Sequence, residues 1–308
     1  MTNPNNVVMT TGEEAMTKKE NSDNENDEID FKSTSLNVPD FKVKVISEFK
    51  HQENTKSLSV AGKEDAWIVH DYNYIELISK SGNEKKRAKL GFNVHSVGIS
   101  KSGNLILGSY GKIYRLINEK LEELANVGTY IVHGICNVED NEDILVCLWA
   151  YDMGKVVRLS VNGEFKQTIE YDDNGYRLFI SPQYITCTPL ECDIWVTDNK
   201  TEQKSVTVTT NAGKLKFKYK GPNFGLSKQF SPRDLVATSQ GHVLIADYFN
   251  QTIHVVSTDG HFLKFLLTTD QGLQQPCVMS KISADTYWIT SENDHQNYQT
   301  HLIVQCAA

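Results

Sequence analysis

The chain has 308 residues, 39% of them hydrophobic, which is enough to bury a large core. No run approaches the roughly 20 apolar residues of a membrane helix, and the N-terminus lacks the basic start and apolar stretch of a signal peptide. The formal net charge of -8 gathers at one end. Residues 1–30 hold eight acids and two lysines, leaving 31 acids against 29 bases elsewhere. That balance lacks the basic excess of a dedicated nucleic-acid binder.

Residues 1–40 are rich in Asn, Glu, Asp and Thr and poor in apolar side chains, so they cannot repay the entropy of ordering and are expected to be a disordered acidic tail. Residues 41–308 are expected to form one domain. FKVKVISEF (41–49) alternates apolar and polar residues as a strand does. Short β-branched and aromatic runs broken by Gly, Asn, Asp and Ser then follow to the end of the chain. One stretch departs from this pattern: LINEKLEELANV (116–127) has tolerable helical spacing and reads as an excursion between units.

The runs recur as six similar units. They begin SLSVAGKEDAWIV (57–69), HSVGISKSGNLILG (95–108), HGICNVEDNEDILVCLWA (133–150), SPQYITCTPLECDIWVTD (181–198), SPRDLVATSQGHVLIAD (231–247) and QPCVMSKISADTYWITS (275–291). The fifth is clearest. Leu235–Ala237 is its inner strand, His242–Asp247 its second, Thr252–Ser257 its third and His261–Leu267 its outer strand, with turns at Gly241 and Asp259-Gly260. Second-strand anchors fall at Trp67, Leu105, Ile144, Trp195, Leu244 and Trp288, about 38 to 51 residues apart, as blades of a propeller require. The sixth unit has only three strands, and residues 41–49 supply its missing outer strand. The expected fold is therefore an all-β, six-bladed propeller of four-stranded antiparallel blades, closed by the N-terminal strand.

Six cysteines (Cys136, Cys147, Cys187, Cys192, Cys277 and Cys306) are scattered without a CxxC pair, which excludes zinc ribbons, RING fingers and thioredoxin motifs. They read as reduced, buried thiols of a cytoplasmic protein. There is no GxSxG elbow, Walker A loop, HExxH or GxGxxG.

Two sets of residues are candidates for binding. Aligning the units places Lys56, His95, His133, Gln183, Arg233 and Cys277 at the entry of the inner strands, around the mouth of the central channel. The first five are the binding candidates, since convergent donors in a funnel can hold an anion or the polar tip of a partner. The two histidines can equally be half-buried strand residues. On the loops, Tyr72, Tyr74, Trp149, Tyr151, Tyr176, Tyr248 and Phe249 are candidates for a recognition face. Asp71, Asp198 and Asp247 end second strands, where they satisfy turn amides.

FSPRDLVATSQGHVLIADYFNQTIHVVSTDGHFLKFLLTTD (230–270) and NVHSVGISKSGNLILGSYGKIYRL (93–116) resemble NHL repeats, the propellers at the C-terminus of tripartite-motif proteins, and in particular their mollusc-type relatives. The resemblance runs from about residue 40 to the end. RING, B-box and coiled-coil segments have no counterpart here, so it implies the substrate-recognition half of a ubiquitin ligase without the transferring half. It further implies a non-enzymatic, monomeric adaptor for protein partners of unknown identity, with no cofactor, metal or membrane. The alternative within the family is an RNA-binding propeller, for which Arg115, Lys155, Arg158, Arg177 and Arg233 are the available bases. A metal-dependent propeller enzyme of the amidoglycolate-lyase or lactonase kind is a further alternative.

Overall fold

The structure, a computed structural model, describes residues 42–70, 73–138, 141–151, 153–199, 204–292 and 298–307. The chain divides into Met1–Asn37 and Val38–Ala308, and the first unit lies outside the described residues.

Strand β1 (Lys42–His51) leads into four strands joined in sequence order, β2 (Ser57–Ala61), β3 (Asp65–Val69), β4 (Tyr74–Ser79) and β5 (Glu84–Lys89). Next come β6 (Val94–Ile99), β7 (Leu105–Ile117), β8 (Lys120–Asn137), β9 (Ile144–Ala150), β10 (Met153–Leu159) and β11 (Phe165–Ile169), which form one six-stranded sheet. Two four-stranded sheets follow. One is β12 (Pro182–Cys187), β13 (Ile194–Asp198), β14 (Ser205–Thr209) and β15 (Leu215–Tyr219); the other is β16 (Pro232–Ala237), β17 (Val243–Asp247), β18 (Thr252–Val256) and β19 (Phe262–Leu267). The last sheet holds β20 (Pro276–Lys281), β21 (Thr286–Ser291) and β22 (Gln299–Ala307), with β1 on its outer edge.

The protein is thus an all-β propeller, but its blades number five, four of four strands and one of six. The expected six four-stranded blades are corrected at the second and third units. There β7 and β8 run on without the polar turns that separate strands elsewhere. The chain passes through Ser109-Tyr110-Gly111 and Gly128-Thr129-Tyr130 while still in strand pairing, with Tyr110 opposite Ile131. Gly111 has φ +77°, and a Cβ there would meet the carbonyl oxygen of Gly128 at 2.7 Å, so only glycine permits this close crossing. The helical spacing of 116–127 is also overturned. Leu116 pairs with Leu121 and Ile117 with Lys120, around a two-residue turn in which Asn118 and Glu119 have φ of 47° and 66°.

Closure by the N-terminal strand is present, with Val43 opposite Cys306 and Phe49 opposite His301. Phe49 stacks on the His301 ring at 4.7 Å, and Trp288 Nε1 donates to His301 Nδ1 at 3.0 Å. Closure removes the bare edge that would otherwise invite pairing with another chain.

Strands β2, β6, the end of β8, β12, β16 and β20 line the centre, each touching the next and β20 returning to β2. Each seam between neighbours carries a side-chain-to-backbone hydrogen bond. Ser57 accepts from Val97 N–H at 3.0 Å, and Ser96 donates to the Val132 carbonyl at 3.2 Å. Cys187 donates to the Asn137 carbonyl at 3.2 Å, and Thr186 accepts from Ala237 N–H at 3.3 Å. Asp234 accepts from Met279 N–H at 2.8 Å, and Ser280 from Val60 N–H at 3.3 Å. Neighbouring inner strands share no strand ladder here, so these short polar side chains satisfy inner-strand amides and carbonyls that burial would otherwise leave costly.

Candidate functional site

All six inner strands enter the centre from the same end. Their first residues converge: Lys56, His95, His133, Gln183, Arg233 and Cys277 line a single cup of about 320 Å³. The five binding candidates named from the repeat alignment therefore lie together. Asn54, Thr55, Ser57, Tyr184, Val278 and Glu292 complete the lining.

The floor of the cup is Tyr184. It sits on β12, opposite β2 in the ring, and its hydroxyl donates to the Lys56 carbonyl at 3.1 Å. The side chain thus crosses the channel. Below it lies a larger chamber of about 570 Å³, walled by the following residues of the same six strands, and Tyr184 lines both spaces.

The chemistry of the cup follows from its surroundings. His133 is held neutral down to about 4, first by burial and then by the neighbouring His95 ring, whose centroid is 6.4 Å away. His95 is lowered by burial and by the Lys56 ammonium. Near neutral pH the fixed charges are Lys56 and Arg233, opposed by Glu292. Gln183 accepts from Asn199 Nδ2 at 3.2 Å through its Oε1, so its amide N–H groups are what it can offer a ligand. Burial pushes the Cys277 thiol well up, and it donates to the Gln275 carbonyl at 3.2 Å, which leaves it a wall residue.

The loop aromatics divide. Tyr248 lies under the Arg233 guanidinium at 4.6 Å and places its hydroxyl 3.0 Å from the Glu292 carboxylate. Phe249 is exposed beside it, with the Lys204 ammonium 4.5 Å from its ring centre. Trp149 packs 5.8 Å from His133. Tyr248 and Trp149 thus touch cup residues and Phe249 touches Tyr248, whereas Tyr74 pairs with Lys89 on β5 and faces the Arg87 guanidinium at 4.9 Å. Tyr151 and Tyr176 are exposed at 84% and 73%, and neither lines the cup. Tyr72 and Asp71 lie outside the described residues. Asp198 accepts from the amides of Ile180 and Ser181, and Asp247 from those of Ser231 and Asn250, the turn role expected of them.

Sequence reasoning missed Glu292 and Tyr184. Glu292 follows the second strand of its unit as Tyr248 does in the fifth, and both donate their backbone N–H to the residue just before the inner strand, Gln275 and Ser231 respectively. Extending the alignment one residue past the second strand finds it. Tyr184 carries no such signal, since its role depends on which strand stands opposite. Of the basic candidates for RNA contact, Arg115 donates to the Val161 carbonyl and lies near Glu122, Arg177 pairs with Glu170 at 2.6 Å, and Arg158 donates to Asn211. Among the described residues, no group of three or more His, Cys, Asp or Glu side chains is arranged to hold a metal ion.

No family model matches the chain, and no curated protein does. Solved structures do. Virginiamycin B lyase from Staphylococcus aureus is 17% identical, with a TM-score of 0.58 over 84% of this chain and 88% of that one. A putative gluconolactonase is 14% identical, with a TM-score of 0.62 over 88% and 95%. The PQQ-bound aldose sugar dehydrogenase of Streptomyces coelicolor is 11% identical, with a TM-score of 0.62 over 87% and 98%. The chain is a β-propeller similar to these, and at such identities the likeness extends to fold alone. All three carry enzyme names, so the expectation of a chain that is flatly no enzyme is withdrawn.

Proposed function

We propose that this propeller is a recognition module whose cup receives a carboxylate presented by a protein partner, as an acidic side chain or a free C-terminus. The observation that carries this reading is the convergence of Lys56, Arg233 and Gln183, from three different inner strands, into one blind cup of about 320 Å³. Cationic and amide donors held on rigid strands lose little entropy when an anion enters, and partial burial strengthens each bond. Two neutral imidazoles offer further N–H donors without adding charge. Trp149, Tyr248 and Phe249 around the opening suit the apolar residues that flank such a carboxylate. The resemblance to NHL repeats of tripartite-motif proteins points the same way, toward substrate recognition for a ubiquitin ligase.

The test is a calorimetric titration at low ionic strength with short acidic peptides, each made with a free and an amidated C-terminus. Saturable binding that weakens with added salt, and with amidation where the terminus is the anchor, supports the reading. Heats no larger than dilution for every peptide refute it. A second reading rests on His95 and His133, adjacent imidazoles that are neutral near pH 7 and therefore able to accept protons. It requires turnover of a carboxylate-bearing substrate, lost in His133→Gln with binding retained.

A further inference from the structure

The chamber below Tyr184 holds a feature that the cup does not explain. Cys136 on β8 and Cys187 on β12 both line it, from neighbouring strands of the ring, with their sulfurs 4.0 Å apart. Both sulfurs lie 3.2 Å from the same carbonyl oxygen, that of Asn137. Among the described residues, the other five seams of the ring are bridged by Ser, Thr, Asp or Asn, and this one by sulfur. Cys136 is partly exposed, so the pair is reached from the chamber. The remaining cysteines differ. Cys147 and Cys192 are buried in the same apolar cluster without lining the chamber, and burial raises the Cys147 thiol far above its ordinary range. Cys306 is likewise pushed up, to about 12.

The separation decides between two uses of the pair. A disulfide needs sulfurs about 2.0 Å apart, so the sulfurs would have to approach by roughly 2 Å across a seam fixed by two sheets. A metal–thiolate bond of about 2.3 Å, by contrast, places two sulfurs 4.0 Å apart at an angle of about 120° with no movement. We propose that Cys136 and Cys187 form a two-thiolate site for a soft d¹⁰ metal ion, with a solvent molecule of the chamber as third ligand. Thiolates select such ions over hard ones. On binding, each thiol gives up its proton to solvent and each sulfur forms one bond to the metal, so two protons leave per ion. The Asn137 carbonyl is released as hydrogen-bond acceptor by both.

The probe is Cd(II), added to the reduced full chain under a non-thiol reductant. Binding is read by the ultraviolet thiolate-to-cadmium band and by the metal content of the intact protein. One ion per chain is expected, with affinity rising as pH rises. Cys136→Ser and Cys187→Ser should each weaken binding by about 100-fold or more, beyond the 10–100-fold that loss of a merely supporting residue costs. Cys192→Ser serves as control and should leave the band unchanged. Absence of the band in the wild type overturns the proposal, as does its full retention in either single variant. A wild type that instead closes a Cys136–Cys187 disulfide under mild peroxide and takes no cadmium overturns it too.

Discussion

The two halves of the channel are built from the same six strands, yet neighbouring residues do opposite work. At the mouth, Lys56, His95 and Arg233 present long or ring side chains to an open cup. In these three strands the following residue, Ser57, Ser96 or Asp234, spends a short side chain on an amide or carbonyl of the adjoining strand. Ser57 also lines the cup, whereas Tyr184 after Gln183 crosses the channel. Strand geometry explains the division, because successive side chains point to opposite sides. One side faces the axis and can meet a ligand, while the other faces the seam and must satisfy the neighbour. Substitutions in the seam should therefore cost stability with little effect on ligands, and substitutions in the cup the reverse.

The largest effect is expected from the seam. Near pH 4, where Asp234 is neutral in the fold, Asp234→Ala leaves the Met279 amide without its partner and opens a small void, so it should destabilise by about 3 kcal/mol in denaturant unfolding. Burial raises the Asp234 carboxyl to about 7, so the folded state takes up its proton more readily than the unfolded state. This one group should make stability decline as pH rises from about 4 to 7.

Acidification gives the next effect, with the opposite sign. His133 is neutral in the fold down to about 4, whereas a free histidine titrates near 6.5. The unfolded state therefore gains a proton first, and stability is lost as pH falls from about 6.5 to 4, by up to about 3 kcal/mol. His301, lowered to about 3 by burial and by His51, adds to the same loss. In unfolding curves recorded across this range, His133→Gln should flatten the acid limb. A limb as steep as the wild type's would show that His133 is not held neutral.

In the cup, Arg233→Ala should weaken carboxylate binding by about 10- to 100-fold, the worth of a charge-assisted hydrogen bond. Its unfolding midpoint should stay within about 0.5 kcal/mol of the wild type. The smallest effect is expected at the boundary. Tyr184→Phe removes only the bond to the Lys56 carbonyl, costing about 1 kcal/mol of stability, and it keeps the ring that floors the cup. Binding should then be unchanged; a loss as large as in Arg233→Ala would mean that the hydroxyl, rather than the ring, shapes the site.

Much of this arrangement was legible in the sequence, and the failures have physical causes. The second, third and outer strands of the fifth unit are read to within one residue, because Gly241 and Asp259-Gly260 mark its turns and those strands are mostly apolar. Its inner strand starts three residues earlier than expected, at Pro232. Residues 41–49 are legible as a closing strand because the sixth unit lacks one. The convergence of the strand-entry residues follows from the repeat, since equivalent positions in a ring face one axis. The merging of the second and third units is not legible, since Ser109-Tyr110-Gly111 resembles an ordinary turn and the crossing depends on contact between Gly111 and Gly128, which are far apart in the chain. Seam residues such as Ser57 and Thr186 look like solvent-facing polar positions until their neighbours are known. The Tyr184 bond and the Cys136–Cys187 pair join strands whose facing is fixed only by closure of the ring.

The central claim is that the mouth binds a carboxylate through Lys56 and Arg233 while the Ser, Thr and Asp side chains of the seams hold the strands together. The most direct test is a single calorimetric comparison, using the tightest of the acidic peptides, of the wild type, Lys56→Ala/Arg233→Ala and Ser96→Ala, whose hydroxyl bonds across a seam outside the cup. The account predicts binding weakened by about 100-fold or more in the double variant and unchanged in Ser96→Ala, even though Ser96→Ala alone lowers the unfolding midpoint. Equal affinity in all three proteins, or binding lost in a folded Ser96→Ala, would contradict it.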